Sequence, residues 1–147
     1  MTLLKTLHVA AAILWLGNFA VTGVWALRAY FARDHALFAF ATREILFTDI
    51  LFTACFGGAV VASGIALAHV EGFDPVRVLW TRWALEIVII GGVMWLGVLL
   101  PVELMMRRRA RNGAPGLPAL FAVWNAAGWL VTVALFSVTY LMIAKPV

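Results

Sequence analysis

The sequence predicts an all-α, integral membrane four-helix bundle, and three observations predict it. Hydrophobic residues fill 65 % of the 147 positions and charged residues 12 %, about half the charged share of a soluble domain. Four apolar runs each reach the roughly 20 residues needed to cross a bilayer. The charges gather mainly between those runs. A chain of this length cannot hide so much apolar side chain from water, so its solvent is the bilayer. The whole chain, 1–147, reads as a single transmembrane domain.

The first span covers about 4–29. It has one early lysine and no small-residue cleavage site, and it is too long for a signal h-region, so it reads as a retained helix. A polar stretch follows, from Arg33-Asp34-His35 to Arg43-Glu44 with Phe38 and Phe40 between, and reads as a short interfacial helix. The second span covers about 45–68, where Thr48-Asp49 reads as a cap that meets the helix dipole. Ala54, Gly58, Ala62 and Ala66 form a stripe of small residues expected to pack against a neighbouring helix.

Glu71-Gly72 and Asp74-Pro75 mark the next turn. The third span covers about 79–105, is expected to kink at Pro101, and ends in Arg107-Arg108-Arg109 with Arg111. Asn112-Gly113 and Pro115-Gly116-Leu117-Pro118 break the chain before a fourth span of about 120–143.

Orientation follows from the basic residues. Arg28, Arg33, Arg43, Arg107, Arg108, Arg109 and Arg111 fall on one side, against Lys5, Arg77, Arg82 and Lys145 on the other. The bias predicts a bacterial cytoplasmic (inner) membrane protein with both termini periplasmic.

Several function classes lose support at once. There is no GxxxxGK[ST] or GxGxxG loop, no CxxC and no HExxH, so nucleotide and standard zinc sites are not expected. Nothing points to nucleic acid. The lone cysteine, Cys55, excludes an intramolecular disulfide. Among seven tryptophans, Trp25, Trp80, Trp83 and Trp124 fall near span ends, where indole favours the interface. Trp15, Trp95 and Trp129 fall deeper and are candidates to line a cavity. Leu14-Trp15-Leu16-Gly17 and Met94-Trp95-Leu96-Gly97 echo each other 80 residues apart, a weak hint of hairpin duplication.

Ionisable groups at membrane depth cost about 3 kcal/mol each on insertion scales and point to function by default. His8 lies about 6 Å inside the terminal edge at 1.5 Å per residue. Arg82 and Glu86, four apart on the third span, share a face near that edge. Ser63 and Tyr140 fall at comparable depth, and His69 marks the edge. The candidate cofactor site is therefore His8, Arg82, Glu86, Tyr140 and His69, with His8 as the metal ligand. The alternative is an Arg82–Glu86 pair snorkelling beside a hydrogen-bonded histidine. The opposite leaflet holds Arg28, Arg43, Glu44, Asp49 and Glu103, with Asn125 deeper. This set reads as structural, with Glu103 paired to Arg107 in the favourable helical order. Asn18, in mid-membrane, is expected to bridge helices.

The candidate cofactor is haem b, which needs an imidazole ligand. His8 supplies one, Arg77 or Arg82 would pair with a propionate, and Trp15 would pack on the macrocycle. Copper is less well served, because only Met142 lies near His8 and no HxxxM or MxxxM cluster exists.

Leu4-Lys5-Thr6-Leu7-His8 with Leu14-Trp15-Leu16-Gly17 resembles the first helix of several small bacterial membrane families. These are the copper-resistance protein D domain, the HemJ-type protoporphyrinogen oxidase and, most similar, a family of predicted integral membrane proteins of unknown function. Thr48 to Thr53, Ser63-Gly64 and Trp95 to Pro101 carry the last likeness. The HemJ-type resemblance implies a haem-ligating histidine at His8 and a basic residue opening the third helix, where this chain has Arg82 rather than lysine. The copper-resistance resemblance implies copper passage. The expected function is a haem- or porphyrin-associated redox protein. The alternatives are a non-catalytic accessory or assembly subunit of a larger membrane complex or homo-oligomer, and a copper or small-solute permease.

Overall fold

In a computed structural model, which describes residues 1–112 and 115–146, the chain is all helix and turn. Four long apolar helices carry it: α1 (Thr2–Phe31), α2 (His35–Val70), α3 (Leu79–Asn112) and α4 (Leu117–Ala144). Up-and-down connectivity puts both termini and the α2–α3 loop at one end. The arginine-rich α1–α2 and α3–α4 connections lie at the other. Gly113 of the expected Asn112-Gly113 break lies outside the described residues.

The largest departure from the sequence reading is at the start of α2. Residues 35–44 are not a separate interfacial helix but the first turns of one continuous helix. The physical cause is Asp34, whose carboxylate accepts hydrogen bonds from the Ala36 and Leu37 amides at 2.8 and 3.1 Å and so caps the helix there. Arg33 just before it has a φ of 55°, which reverses the chain out of α1. Asp49 therefore opens nothing; it sits midway along α2. At the other end, Asp74 accepts from the Val76 amide and Thr81 donates to the Pro75 carbonyl, fixing the α2–α3 turn.

Both central helices change pitch in mid-course. Asp49–Phe56 in α2 and Trp95–Leu99 in α3 are π-helical, and the second lies just ahead of Pro101. Each added residue turns the following face by about 100°.

Packing relies on small residues, as it must where lipid is as apolar as the core. Trp15 lies against Gly57, where a Cβ would stand 3.0 Å from the indole. Gly91 receives Leu135 in the same way at 3.4 Å. In the terminal half, α2 packs on α1 and α3 packs on α4, while α2 and α3 do not pack closely on each other. In the arginine-rich half α2 and α3 do meet, and an aromatic plug closes that end. Tyr30 and Phe121 stack there with centroids 4.0 Å apart, and Phe38 meets Phe121 edge-on at 5.9 Å. Of the Ala54, Gly58, Ala62 and Ala66 stripe, expected in a helix interface, the first three face outward and are exposed, and Ala66 is partly buried.

Candidate functional site

The residues expected near the terminal edge divide into separate groups. His8 is half-buried, with Nδ1 2.9 Å from Ser63 Oγ and its Cε1 against Gly64. Ser63 Oγ also donates to the Ala59 carbonyl, one turn back on α2. Arg82 and Glu86 pair at 2.9 Å with both side chains about half exposed. They stand on the part of α3 that has no close packing with α1. Tyr140 is 69 % exposed, and His69, also exposed, donates from Nδ1 to the Ile65 carbonyl at 2.8 Å. The snorkelling Arg82–Glu86 pair and the hydrogen-bonded histidine are thus both present.

His8 offers one ligand nitrogen, and His69 has turned its ring onto its own helix. Neither internal cavity described below is lined by His8.

The other leaflet holds the unexpected feature. Asp49, at the start of the π-segment of α2, is 4 % exposed. Asn18 on α1 donates to its Oδ1 at 2.8 Å and approaches Thr53 at 3.5 Å, so the expected helix-bridging role of Asn18 is present. Thr22 donates to the main-chain carbonyl of Asn18 at 2.7 Å, satisfying its own hydroxyl within α1. Trp95 stands beside the same carboxyl, although its Nε1 completes no hydrogen bond. Glu103 on α3 has 0 % exposure, and neither of its oxygens has a partner. It lies near enough to Asp49 for the two charges to interact.

Two sequence expectations are corrected here. Asp49 is not a helix cap, because its helix begins at His35. Glu103 does not pair with Arg107: the ion pairs among the described residues are Lys5–Glu71, Arg43–Glu44, Arg77–Asp74 and Arg82–Glu86. Glu103 is fully buried in the bundle, whereas Arg107, one turn further along the same regular helix, is only partly buried and forms no ion pair with it.

Four further buried donors lack partners: Nε1 of Trp15, Trp95 and Trp124, and Nδ2 of Asn125. Trp124, expected at the interface, is 6 % exposed inside the bundle. It forms a wall shared by two small cavities, one lined by Asp49, Asn125 and Thr132, the other by Glu103, Thr42 and Phe121. Each has room for about one or two waters.

The donor set narrows the chemistry. Two bare carboxylates at this depth would cost roughly 5–7 kcal/mol, a large part of the stability of an ordinary domain. A bound proton or a bound cation removes that cost. Metal cations of the magnesium or calcium type want about six oxygen ligands. Here the uncommitted neighbours are N–H groups, which repel a cation, and no three His, Cys, Asp or Glu residues cluster among the described residues. Protons and waters suit a set of carboxyl oxygens, N–H donors and threonine hydroxyls.

Compared with known proteins, residues 2–146 match the family model described as "Predicted integral membrane protein (DUF2269)". No curated protein and no solved structure matches the chain.

Proposed function

The chain belongs to the DUF2269 family of predicted integral membrane proteins, and we propose that it is a proton-handling member whose working part is the Asp49–Glu103 pair. Such a protein takes protons into the bilayer interior and releases them, as a proton pathway or as the coupling site of a small permease. The observation that carries this reading is Glu103, fully buried with both oxygens unpartnered and within electrostatic reach of a second buried carboxyl. Ionisable groups inside a bundle, facing its interior, recur in proton relays.

The test is proton uptake by proteoliposomes holding a trapped pH dye, driven by a potassium diffusion potential. Uptake is expected in the wild type and is lost in Asp49→Asn and in Glu103→Gln. Equal uptake in wild type, both variants and empty liposomes would sink the reading. A haem Soret band from cells fed haem precursor, abolished in His8→Ala, would redirect it to redox chemistry at His8.

A second reading, an accessory subunit of a membrane complex or homo-oligomer, is favoured by the exposed Ala54–Gly58–Ala62 stripe, a type of face that lets membrane helices approach closely. Cross-linking in membranes through Cys55, which lies exposed on the same helix, tests it. The basic bias supports an orientation with the arginine-rich side in the bacterial cytoplasm, and reporter fusions to Lys145 and Arg111 test it.

A further inference from the structure

Trp124 is the residue through which the two carboxyl cavities meet, and nothing polar holds it. Its Nε1 has no hydrogen-bond partner, and its ring rests on Phe121 at a centroid distance of 6.5 Å. Phe121 in turn is stacked on Tyr30, so the plug behind the indole is firm. On the other side lies the small cavity bounded by Asn125, Thr132 and Gly128, with room for about one or two waters. An indole turning toward that space breaks no hydrogen bond.

We infer that Trp124 is the gate and selectivity filter between two proton stations, Glu103 on the arginine-rich side and Asp49 deeper in the bilayer. The inference rests on the proton-handling reading of the acid pair. An indole N–H donates and has no lone pair in the ring plane to accept, so a proton cannot be relayed through Trp124 itself. It passes when the indole shifts aside and water links the two cavities. The Glu103 O–H bond then breaks as water accepts the proton, and the water gives another to the Asp49 carboxylate, forming its O–H bond. Water is regenerated and no electrons move. A gap opened for one water admits a proton by hopping and excludes a hydrated sodium ion, which must carry its shell with it.

Two substitutions separate a wall from a donor. Trp124→Ala removes the partition, whereas Trp124→Phe keeps a ring in place and removes only the N–H. In proteoliposomes, Trp124→Ala is expected to raise proton flux several-fold and to admit sodium, measured with a trapped sodium dye. Trp124→Phe is expected to keep wild-type selectivity. Unchanged flux and selectivity in Trp124→Ala would overturn the inference, as would a sodium leak in Trp124→Phe equal to that in Trp124→Ala.

Sidedness supplies a readout that needs no transport. In a Cys55→Ser background, Thr42→Cys reports the Glu103 cavity and Thr132→Cys reports the Asp49 cavity. A small charged methanethiosulfonate reagent is expected to modify them from opposite faces of sealed vesicles, and from both faces once Trp124→Ala is added. Modification of both from one face with Trp124 intact, or of neither, overturns the partition. Opposite-face labelling without wild-type proton uptake would sustain the partition while sinking the proton reading beneath it.

Discussion

Asn18 on α1 donates its amide hydrogen to Asp49 on α2 at 2.8 Å, joining the first two helices at a carboxyl that is 4 % exposed. The same amide approaches Thr53 on α2 at 3.5 Å. Removing the donor leaves Asp49 in the bundle without its one good hydrogen bond. Interhelical bonds in membranes average about 0.6 kcal/mol and reach about 2 kcal/mol. Asn18→Leu is therefore expected to destabilise the protein by about 1–2 kcal/mol, read by denaturant titration in mixed micelles. Wild-type stability in that variant would show the bond to be idle.

Glu103 makes the opposite case. Its oxygens form no bond to lose, so Glu103→Gln keeps the shape and removes only a burden of charge. Thermal unfolding in detergent is expected at the wild-type midpoint or above it, while proton uptake is lost. A midpoint several degrees lower would mean that the carboxyl makes a structural contact in the membrane.

The glycines of α2 divide sharply by what faces them. A side chain at Gly57 meets the Trp15 ring at 3.0 Å, whereas nothing lies within 4 Å of Gly58. Gly57→Leu is expected to cost about 1–3 kcal/mol through overpacking. Gly58→Leu, one residue on, is expected to leave monomer stability within about 0.5 kcal/mol. Comparable losses at both positions in dilute detergent would refute the packing described for this face.

At the terminal end, Lys5 Nζ meets the Glu71 carboxylate at 2.6 Å. That hydrogen bond, against a smaller opposing effect of desolvation and with help from the charges of Lys5 and Lys145, holds the Glu71 carboxyl below its ordinary value of 4.5. A depressed carboxyl contributes stability that is fully present above its unfolded value and lost as pH falls through its folded one. The pair therefore supports the α1–α2 contact at neutral pH and lets go on the acid side of 4.5. Glu71→Gln is expected to flatten the stability profile in that acid window, and salt to weaken the wild-type effect. An unchanged acid limb in Glu71→Gln would show that the pair contributes nothing.

The acid core is the part of the molecule that the sequence hid, and particular residues show why. Asp34 looked like one polar residue among several, yet its cap starts α2 about ten residues before the apolar run begins. That moves Asp49 from a helix end to the middle of a helix. Glu103 and Arg107 have the spacing of a helical pair, but spacing does not tell which face turns inward, and the carboxyl is buried away from the arginine. The available signals were weak: the Trp15 and Trp95 echo, whose two indoles both end up buried with unpartnered Nε1, and Asn18 in mid-span. His8 and Arg82 share a depth, as the sequence indicates, but depth alone does not make neighbours.

Residence in the bilayer, the number of helices and their up-and-down order were determined by the sequence itself. These depend on hydropathy summed over roughly 20 residues, a quantity that needs no knowledge of what packs on what. The tertiary structure alone decided which helices adjoin, which faces turn inward and where the polar groups converge. Those outcomes depend on small differences in close packing at Gly57 and Gly91, and on two π-turns that rotate everything beyond them. In a bundle where lipid and core are equally apolar, no hydrophobic pattern marks the inward face, and so only packing can choose it.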